Sequence, residues 1–243
     1  MPTVLITGTS RGIGLELTRQ YAGRGWNVIA TARNLATSAE LSGLAATYPN
    51  IRMEQLDVTD GESVRSLAQR LDNEPIDILL HNAGVAPGSS DQSTFGTLDF
   101  SVGDLAIATN VWGVLAATEA LLPNVQLGKL RKVMVVSSFA GSISSIAGTE
   151  PSPWGDYIYR ISKTALNMTM SLVARDLKPR GIIVGMLSPG LVDTELGGGH
   201  VGIPRDLIIT PSQSAGALIP VIDGYTLDTS GKFMRYTGAE VPW

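Results

Sequence analysis

The sequence predicts an α/β protein built on one doubly wound parallel sheet of about seven strands, and three observations carry that expectation. Short, mostly apolar runs (Val4-Leu5-Ile6, Ile76 to Leu80, Lys132 to Val136, Ile182 to Leu187) alternate with longer amphipathic stretches, as expected for strands covered on both faces by crossover helices. The first run leads into Thr7-Gly8-Thr9-Ser10-Arg11-Gly12-Ile13-Gly14 and then into an amphipathic run from Leu15 to Gly25, which reads as buried strand, glycine turn and helix. The chain has 243 residues, 44% apolar and 16% charged, enough to bury one sizeable core as a single domain.

Composition narrows the function classes. The net charge is −4 and no basic stripe is visible, which argues against nucleic acid. There is no cysteine, hence no disulfide framework, thiolate chemistry or cysteine zinc site, and no metal is expected; a cysteine-free fold suits the cytoplasm. Met1 precedes the first strand without a charged and apolar leader, and no apolar run reads as long enough to span a bilayer, so a soluble, unprocessed protein is expected.

The glycine turn is where chemistry first becomes legible. A diphosphate at a strand–turn–helix junction meets free backbone N–H groups and the positive end of the helix dipole, and Gly8, Gly12 and Gly14 remove side chains that would hold it away. A dinucleotide is the expected ligand. The second strand, Trp26 to Arg33, completes a βαβ unit. At its end an NAD enzyme usually carries Asp or Glu for the ribose hydroxyls; here Ala32 fills that place and Arg33 follows. Arg33, with Arg11 in the turn, would instead bond a ribose 2′-phosphate, so NADP(H) is expected over NAD(H).

Residues 35 to 48 read as a short irregular helix and Ile51 to Leu56 as the third strand, ending in Asp57-Val58-Thr59-Asp60. Asp57 is placed to accept from an adenine amino group, and Thr59 or Asp60 to cap a helix running to about Leu71. The fourth strand, Ile76 to Leu80, closes in His81-Asn82-Ala83-Gly84, with His81 read as structural. Val85 to Phe100, rich in Gly, Ser and Asp, reads as a loop beside the site. A long helix from about Val102 to Leu122 should end at Pro123, with Asn110 facing inward to bond a backbone carbonyl or a water.

The fifth strand, Lys132 to Val136, delivers Ser137 and Ser138 to the sheet edge where open α/β folds bind ligands. After a loop from Ser142 to Gly155, Asp156 could start a helix from Tyr157 to Lys178, on which Tyr159 and Lys163 share a face and Ile158, Ile161, Ala165, Leu172 and Val173 form a separate packing surface. The sixth strand ends at Ser188-Pro189-Gly190-Leu191-Val192-Asp193-Thr194. Gly197-Gly198-Gly199-His200 reads as part of a substrate lid over about 190–211, followed by a helix from Ser212 to Ile222 and a last strand from Lys232 to Tyr236.

Taken together, Thr7-Gly8-x-x-x-Gly12-Ile13-Gly14, Asn82-Ala83-Gly84, Asn110, Ser138, Tyr159-x-x-x-Lys163 and Pro189-Gly190 resemble the short-chain dehydrogenase/reductase family over nearly the whole chain, closest in appearance to C-factor and sniffer-like carbonyl reductases. The resemblance implies a Rossmann-type domain that interconverts a carbonyl and a secondary alcohol. It makes Tyr159 the general acid/base, Ser138 the hydroxyl on the carbonyl oxygen, Lys163 the group on the nicotinamide ribose and Asn110 the holder of a water. Ser138 is chosen over Ser137 because it directly precedes the segment matching Phe139-Ala140-Gly141, and Tyr159 over Tyr157 because only Tyr159 has lysine four residues on. A nearby ammonium should lower the phenol's pKa.

The resemblance also implies cofactor contacts from Gly8, Ser10, Arg11, Gly12, Ile13, Gly14, Arg33, Asp57, Val58, Asn82, Ala83, Gly84, Tyr159, Lys163, Pro189, Gly190, Val192 and Thr194, a small carbonyl or alcohol as partner, and assembly into a dimer or tetramer. The interval from Ser138 to Tyr159 is longer than the family norm, so the Ser142 to Gly155 loop carries an insertion that could alter the assembling helix face. Other readings share the scaffold: a cofactor-binding signalling protein with little turnover, or an epimerase or dehydratase. A serine hydrolase, which Gly8-Thr9-Ser10-Arg11-Gly12 could suggest, is disfavoured by chain order, since only seven residues precede Gly8.

Overall fold

The computed structural model describes residues 1–87, 92–146, 157–196 and 204–243. A seven-stranded parallel sheet forms its centre, with strands β1 (Thr3–Ile6), β2 (Asn27–Ala32), β3 (Ile51–Gln55), β4 (Ile78–His81), β5 (Lys132–Val136), β6 (Ile183–Ser188) and β9 (Phe233–Arg235) in the order β3-β2-β1-β4-β5-β6-β9. The order reverses between β1 and β4, which opens a crevice at their carboxyl ends. Two two-residue strands, β7 (Leu191–Val192) and β8 (Ile208–Ile209), pair separately.

Alternation along the strands sorts side chains into two cores. Val4, Ile6, Val28 and Ala30 pack with Leu15, Leu17 and Tyr21 of α1 (Gly12–Gly23) and Leu218 of α7 (Pro211–Gly224). Leu5, Ile29, Val133 and Val135 pack on the other face with α3 (Gly61–Arg70), α5 (Gly113–Leu127) and α6 (Tyr157–Leu177). A short α2 (Ala39–Thr47) precedes β3. Strand and helix limits follow the sequence expectation to within two residues for most elements.

Three expectations need correction. The helix expected to stop at Pro123 runs as α4 (Phe100–Ile107), a π-helical turn (Ala108–Trp112) and α5, with Pro123 inside the last. Proline removes one N–H, but Pro123 and Glu119 are exposed, so water can take the freed Glu119 carbonyl. The neighbouring Asn124 fixes the helix, its amide donating to the Leu71 and Glu74 carbonyls at 2.6 and 2.9 Å. Secondly, this stretch, Phe100–Leu127, is long and apolar enough to cross a membrane by length and composition alone. Half of its apolar window is buried inside the fold, and Asn110 and Asn124 are spent on other elements, the arrangement of a core helix. Thirdly, Ile161 and Leu172 do not pack inward but stand exposed on α6.

Asp156, the Gly197 to Gly199 lid glycines with His200, and most of the Ser142 to Gly155 insertion lie outside the described residues.

The amino ends of the sheet are gathered by one carboxylate. Asp77, buried before β4, accepts from the Thr3 N–H at 2.8 Å through one oxygen and from the Lys129 and Leu130 N–H groups at 2.8 and 3.2 Å through the other. Asp77→Leu should strand these three donors and lower unfolding free energy by about 3 kcal/mol in urea titrations, whereas Asp77→Asn, which keeps an acceptor oxygen, should lose less.

Candidate active site

The glycine turn owes its shape to contact with the end of β4. Gly8 has φ +71°, and a Cβ there would lie 2.7 Å from Ala83 Cα; a Cβ on Gly14 would lie 2.2 Å from the Gly8 carbonyl oxygen and 2.4 Å from Asn82 Nδ2. Neither position accepts a larger residue without moving backbone. The Thr7 hydroxyl oxygen accepts from the Asn82 and Ala83 N–H groups, both at 3.0 Å, and the Asn82 amide donates to the Thr7 and Gly8 carbonyls at 3.2 and 2.9 Å. Asn82 therefore braces the turn with its side chain. Arg11 is the N-cap residue of α1 and supplies no side-chain cap, which leaves the first N–H groups of the helix for an anion.

A cleft of about 340 Å³ opens beside this turn, lined among others by Ser10, Arg11, Ala32, Arg33 and Asn34. The two arginines expected to bond a phosphate thus share one cleft, with no carboxylate at position 32. Further along the edge, Asp57 is half-buried and one of its oxygens accepts from the Thr59 N–H at 2.9 Å and the Thr59 hydroxyl at 2.7 Å. Of the two candidate caps, Asp60 caps α3, accepting from Glu62 N–H at 2.9 Å. Val58 is buried against Gly113, whose added Cβ would meet the Val58 carbonyl at 2.8 Å. Pro189 accepts from the Ser214 hydroxyl at 2.8 Å, Val192 is buried in β7, and Thr194 Cγ2 stands 3.4 Å from where a Gly12 Cβ would be. The β7 segment therefore crosses above the glycine turn.

Helix α6 and the loop after β5 bring the candidate catalytic groups together. The Ser138 hydroxyl stands near enough to the Tyr159 phenol to act on its pKa, and Lys163 Nζ lies 5.7 Å from the Tyr159 ring centre. Lys163 is buried and donates to the Val136 carbonyl at 3.1 Å. Burial disfavours its ammonium and brings its pKa down to about 8. Burial also acts on Tyr159, as the largest effect, and raises its pKa; the Ser138 hydroxyl acts the other way. The expected depression of the phenol is thus overturned for the protein's own groups: the lysine is close, but the low-polarity surroundings penalise phenolate and ammonium alike.

Asn110 sits in the π-helical turn, fully buried. Its oxygen accepts from the Val85 N–H at 2.9 Å, and its amide donates to the Val85 carbonyl at 2.8 Å and to Ser162 Oγ at 2.9 Å. Ser162 in turn donates to the Tyr159 carbonyl at 2.8 Å. The backbone-carbonyl partner expected for Asn110 is thus that of Val85. A Cβ on Gly84 would lie 3.2 Å from the Asn110 oxygen and 3.5 Å from Lys163 Nζ, so Gly84 also borders the reactive cluster.

Several residues that the sequence reading did not single out complete the site. Ser93 holds the start of α6: its carbonyl accepts from Tyr157 N–H at 3.2 Å and its hydroxyl from Ile158 N–H at 3.1 Å. A serine more than sixty residues away in a loop carries no sequence signal of that role. Asn167 accepts from the Ser137 hydroxyl at 2.6 Å and donates to the Gly141 carbonyl at 3.2 Å, so it fixes the loop that presents Ser138 and accounts for Ser137 as a structural residue. Its i+4 spacing from Lys163 was the available clue. Tyr157 is exposed and pairs with Phe95, ring centres 6.1 Å apart.

With this geometry in place, comparison with known proteins is decisive. The model of the short chain dehydrogenase family matches residues 2–200. The chain belongs to that family. It is 36% identical over 180 residues to the protein named C-signal of Myxococcus xanthus, covering 74% of this chain and 100% of the relative. It is 36% identical over 246 residues, all of both chains, to 1-hydroxy-2-glutathionyl-2-methyl-3-butene dehydrogenase of Rhodococcus sp. (strain AD45). Among solved structures, the NADPH-bound carbonyl reductase from chicken fatty liver superposes with a TM-score of 0.90 at 28% identity, covering 100% of this chain and 99% of that one. Fold class and family resemblance both stand as the sequence indicated.

His81 is structural. The Thr118 hydroxyl donates to the Val114 carbonyl at 2.8 Å, so it accepts from His81 Nε2 at 2.9 Å. This hydrogen-bond pattern assigns the proton to Nε2, and Nδ1 meets no partner among the described residues. Burial lowers the His81 pKa to about 4. The unfolded chain binds this proton with a pKa near 6.5, so the imidazole's contribution is complete above that value and is lost as pH falls toward about 4. Urea titrations at pH 6.5 and pH 5 should show wild type losing about 1.5 kcal/mol more than His81→Gln, which has no proton to gain.

Proposed function

We propose that this chain is an NADP(H)-dependent oxidoreductase that interconverts a carbonyl and a secondary alcohol, working in the cytoplasm and in the reducing direction. The observation that carries the reading is the cluster of Ser138, Tyr159, Lys163 and Asn110 on one side of the glycine turn and, on the other, a cleft lined by Arg11 and Arg33. The cleft and turn suit a dinucleotide: Gly8 and Gly14 let the turn close against Ala83 and Asn82, the first N–H groups of α1 are uncapped by a side chain, and two guanidiniums line the cleft. Arg11 and Arg33 would bond the 2′-phosphate, Lys163 and Tyr159 the nicotinamide ribose, and Val192 and Thr194 the carboxamide. The chicken liver carbonyl reductase is described with NADPH bound, which supports the same choice here.

When bound, the nicotinamide supplies or takes the hydride. The protein does the rest. Ser138 and Tyr159 converge on one oxygen, stabilise negative charge growing there, and Tyr159 gives its phenolic proton to the nascent alkoxide. A raised phenol pKa suits this task, because the proton stays on Tyr159 until alkoxide, a stronger base, appears. Lys163 in its ammonium form stabilises the resulting phenolate. Asn110, through Ser162, holds the first turn of α6 and thereby the backbone of Tyr159.

The likeness to a protein called C-signal favours a second reading, cofactor binding in a signalling role with little turnover; a kinetic panel separates the two. Purified protein should oxidise NADPH in preference to NADH with at least one member of a panel of ketones, aldehydes and quinones. Tyr159→Phe should lower kcat by at least about a hundredfold with NADPH affinity retained. NADPH binding without turnover across the panel would favour the signalling reading.

The same reading includes self-association. Trp112 is 60% exposed, and Ile161 and Met168, 55% and 63% exposed, lie on one stripe of the adjacent α6. Two copies facing each other through these helices would cover that apolar surface. Light scattering after size exclusion should give a dimer or larger for wild type and a monomer for Met168→Glu; a monomeric wild type would refute the association.

A further inference from the structure

The strongest observation not absorbed by this mechanism is an ion pair at the mouth of the cofactor cleft. Arg11 Nε lies 3.2 Å from Glu195 Oε2, with side chains 68% and 75% exposed. Glu195 directly follows Thr194, whose methyl stands over Gly12, so the carboxylate reaches Arg11 from the segment that crosses the glycine turn. Arg11 is thereby shared between this carboxylate and the cleft it lines with Ser10 and Arg33.

Resting on the NADP(H) reading, we infer that Glu195 competes with the ribose 2′-phosphate for Arg11 and so sets how strongly the protein distinguishes NADP(H) from NAD(H). Both partners are largely in water, so neither is pinned and the pair is weak. A phosphomonoester brings nearly two charges and three acceptor oxygens, and a guanidinium bonds it more strongly than it bonds a single exposed carboxylate. Arrival of the 2′-phosphate draws Arg11 away and repels Glu195. The unphosphorylated ribose of NAD(H) offers no such charge and leaves the pair intact. Glu195 is thus a specificity-determining residue that weakens NADP(H) binding alone, and its displacement couples occupation of the phosphate end to the Thr194-Glu195 segment above the turn.

The test is isothermal titration of NADPH and NADH into wild type, Glu195→Gln, Arg11→Ala and the double variant. Removing the carboxylate should tighten NADPH by about two- to fivefold, the size expected for an exposed pair, leave NADH unchanged, and have no effect in the Arg11→Ala background. Equal changes for both dinucleotides, no change, weaker NADPH binding in Glu195→Gln, or an effect that persists without Arg11 would each overturn the competition. Failure of the underlying reading looks different: wild type would bind NADPH and NADH alike, and Arg11→Ala would alter neither.

Discussion

The close approach of the glycine turn to the end of β4 is the constraint on which the rest of the site depends. Thr7, Gly8 and Gly14 on one side and Asn82 and Ala83 on the other are in van der Waals and hydrogen-bond contact. Because β1 and β4 are neighbours at the point where strand order reverses, this contact closes the floor of the crevice and leaves its top open. A side chain at Gly8 or Gly14 would have to separate the two strand ends. That would move Gly84, and with it the wall beside Asn110 and Lys163.

From that floor a second set of bonds reaches the reactive helix. Val85 is tied to Asn110, Asn110 to Ser162, Ser162 to the Tyr159 carbonyl, while Ser93 holds the helix start and Asn167 holds the loop that carries Ser138. All but the Ser162–Tyr159 bond join segments that lie far apart in the chain, and all are buried or part-buried, where an unpaired polar group costs more than a paired one returns. The π-helical turn has a physical reason in this setting. It places Asn110 inward without ending the helix, and such turns are frequent at functional sites.

What was legible in the sequence was the part with local chemistry. Glycines at fixed offsets after an apolar run, a tyrosine and lysine one helical turn apart, an alanine where an acid would otherwise stand with an arginine after it: each has its meaning within a few residues. The sheet, its crossovers and the family followed from them. What was not legible depends on long-range partners. Ser93 and Asn167 have no pattern until the fold brings the loops to α6. Pro123 was read by its local cost, but solvent around Glu119 and the bonds of Asn124 outweigh it. The apolar character of Phe100–Leu127 shows only as an average over the stretch, because Asp104, Asn110 and Glu119 interrupt any continuous apolar run. Ile161 and Leu172 have helical spacing that signals a buried face, and spacing alone does not say whether the same chain or another copy does the burying.

The electrostatics of the site follow from one conflict. Burial that excludes water also opposes the charged forms of Tyr159 and Lys163, so the cluster rests with its proton on the phenol and its lysine easier to neutralise than in water. On the proposed reading, negative charge developing on a bound carbonyl oxygen would reverse this preference, since it would make the phenol a proton donor and reward the ammonium nearby. The cofactor end works on the opposite principle. Arg11 and Arg33 are exposed, and on the proposed reading selectivity there comes from which anion they meet. One fold thus holds a tyrosine and lysine acted on by desolvation and, across the glycine turn, two exposed arginines for which anions would compete.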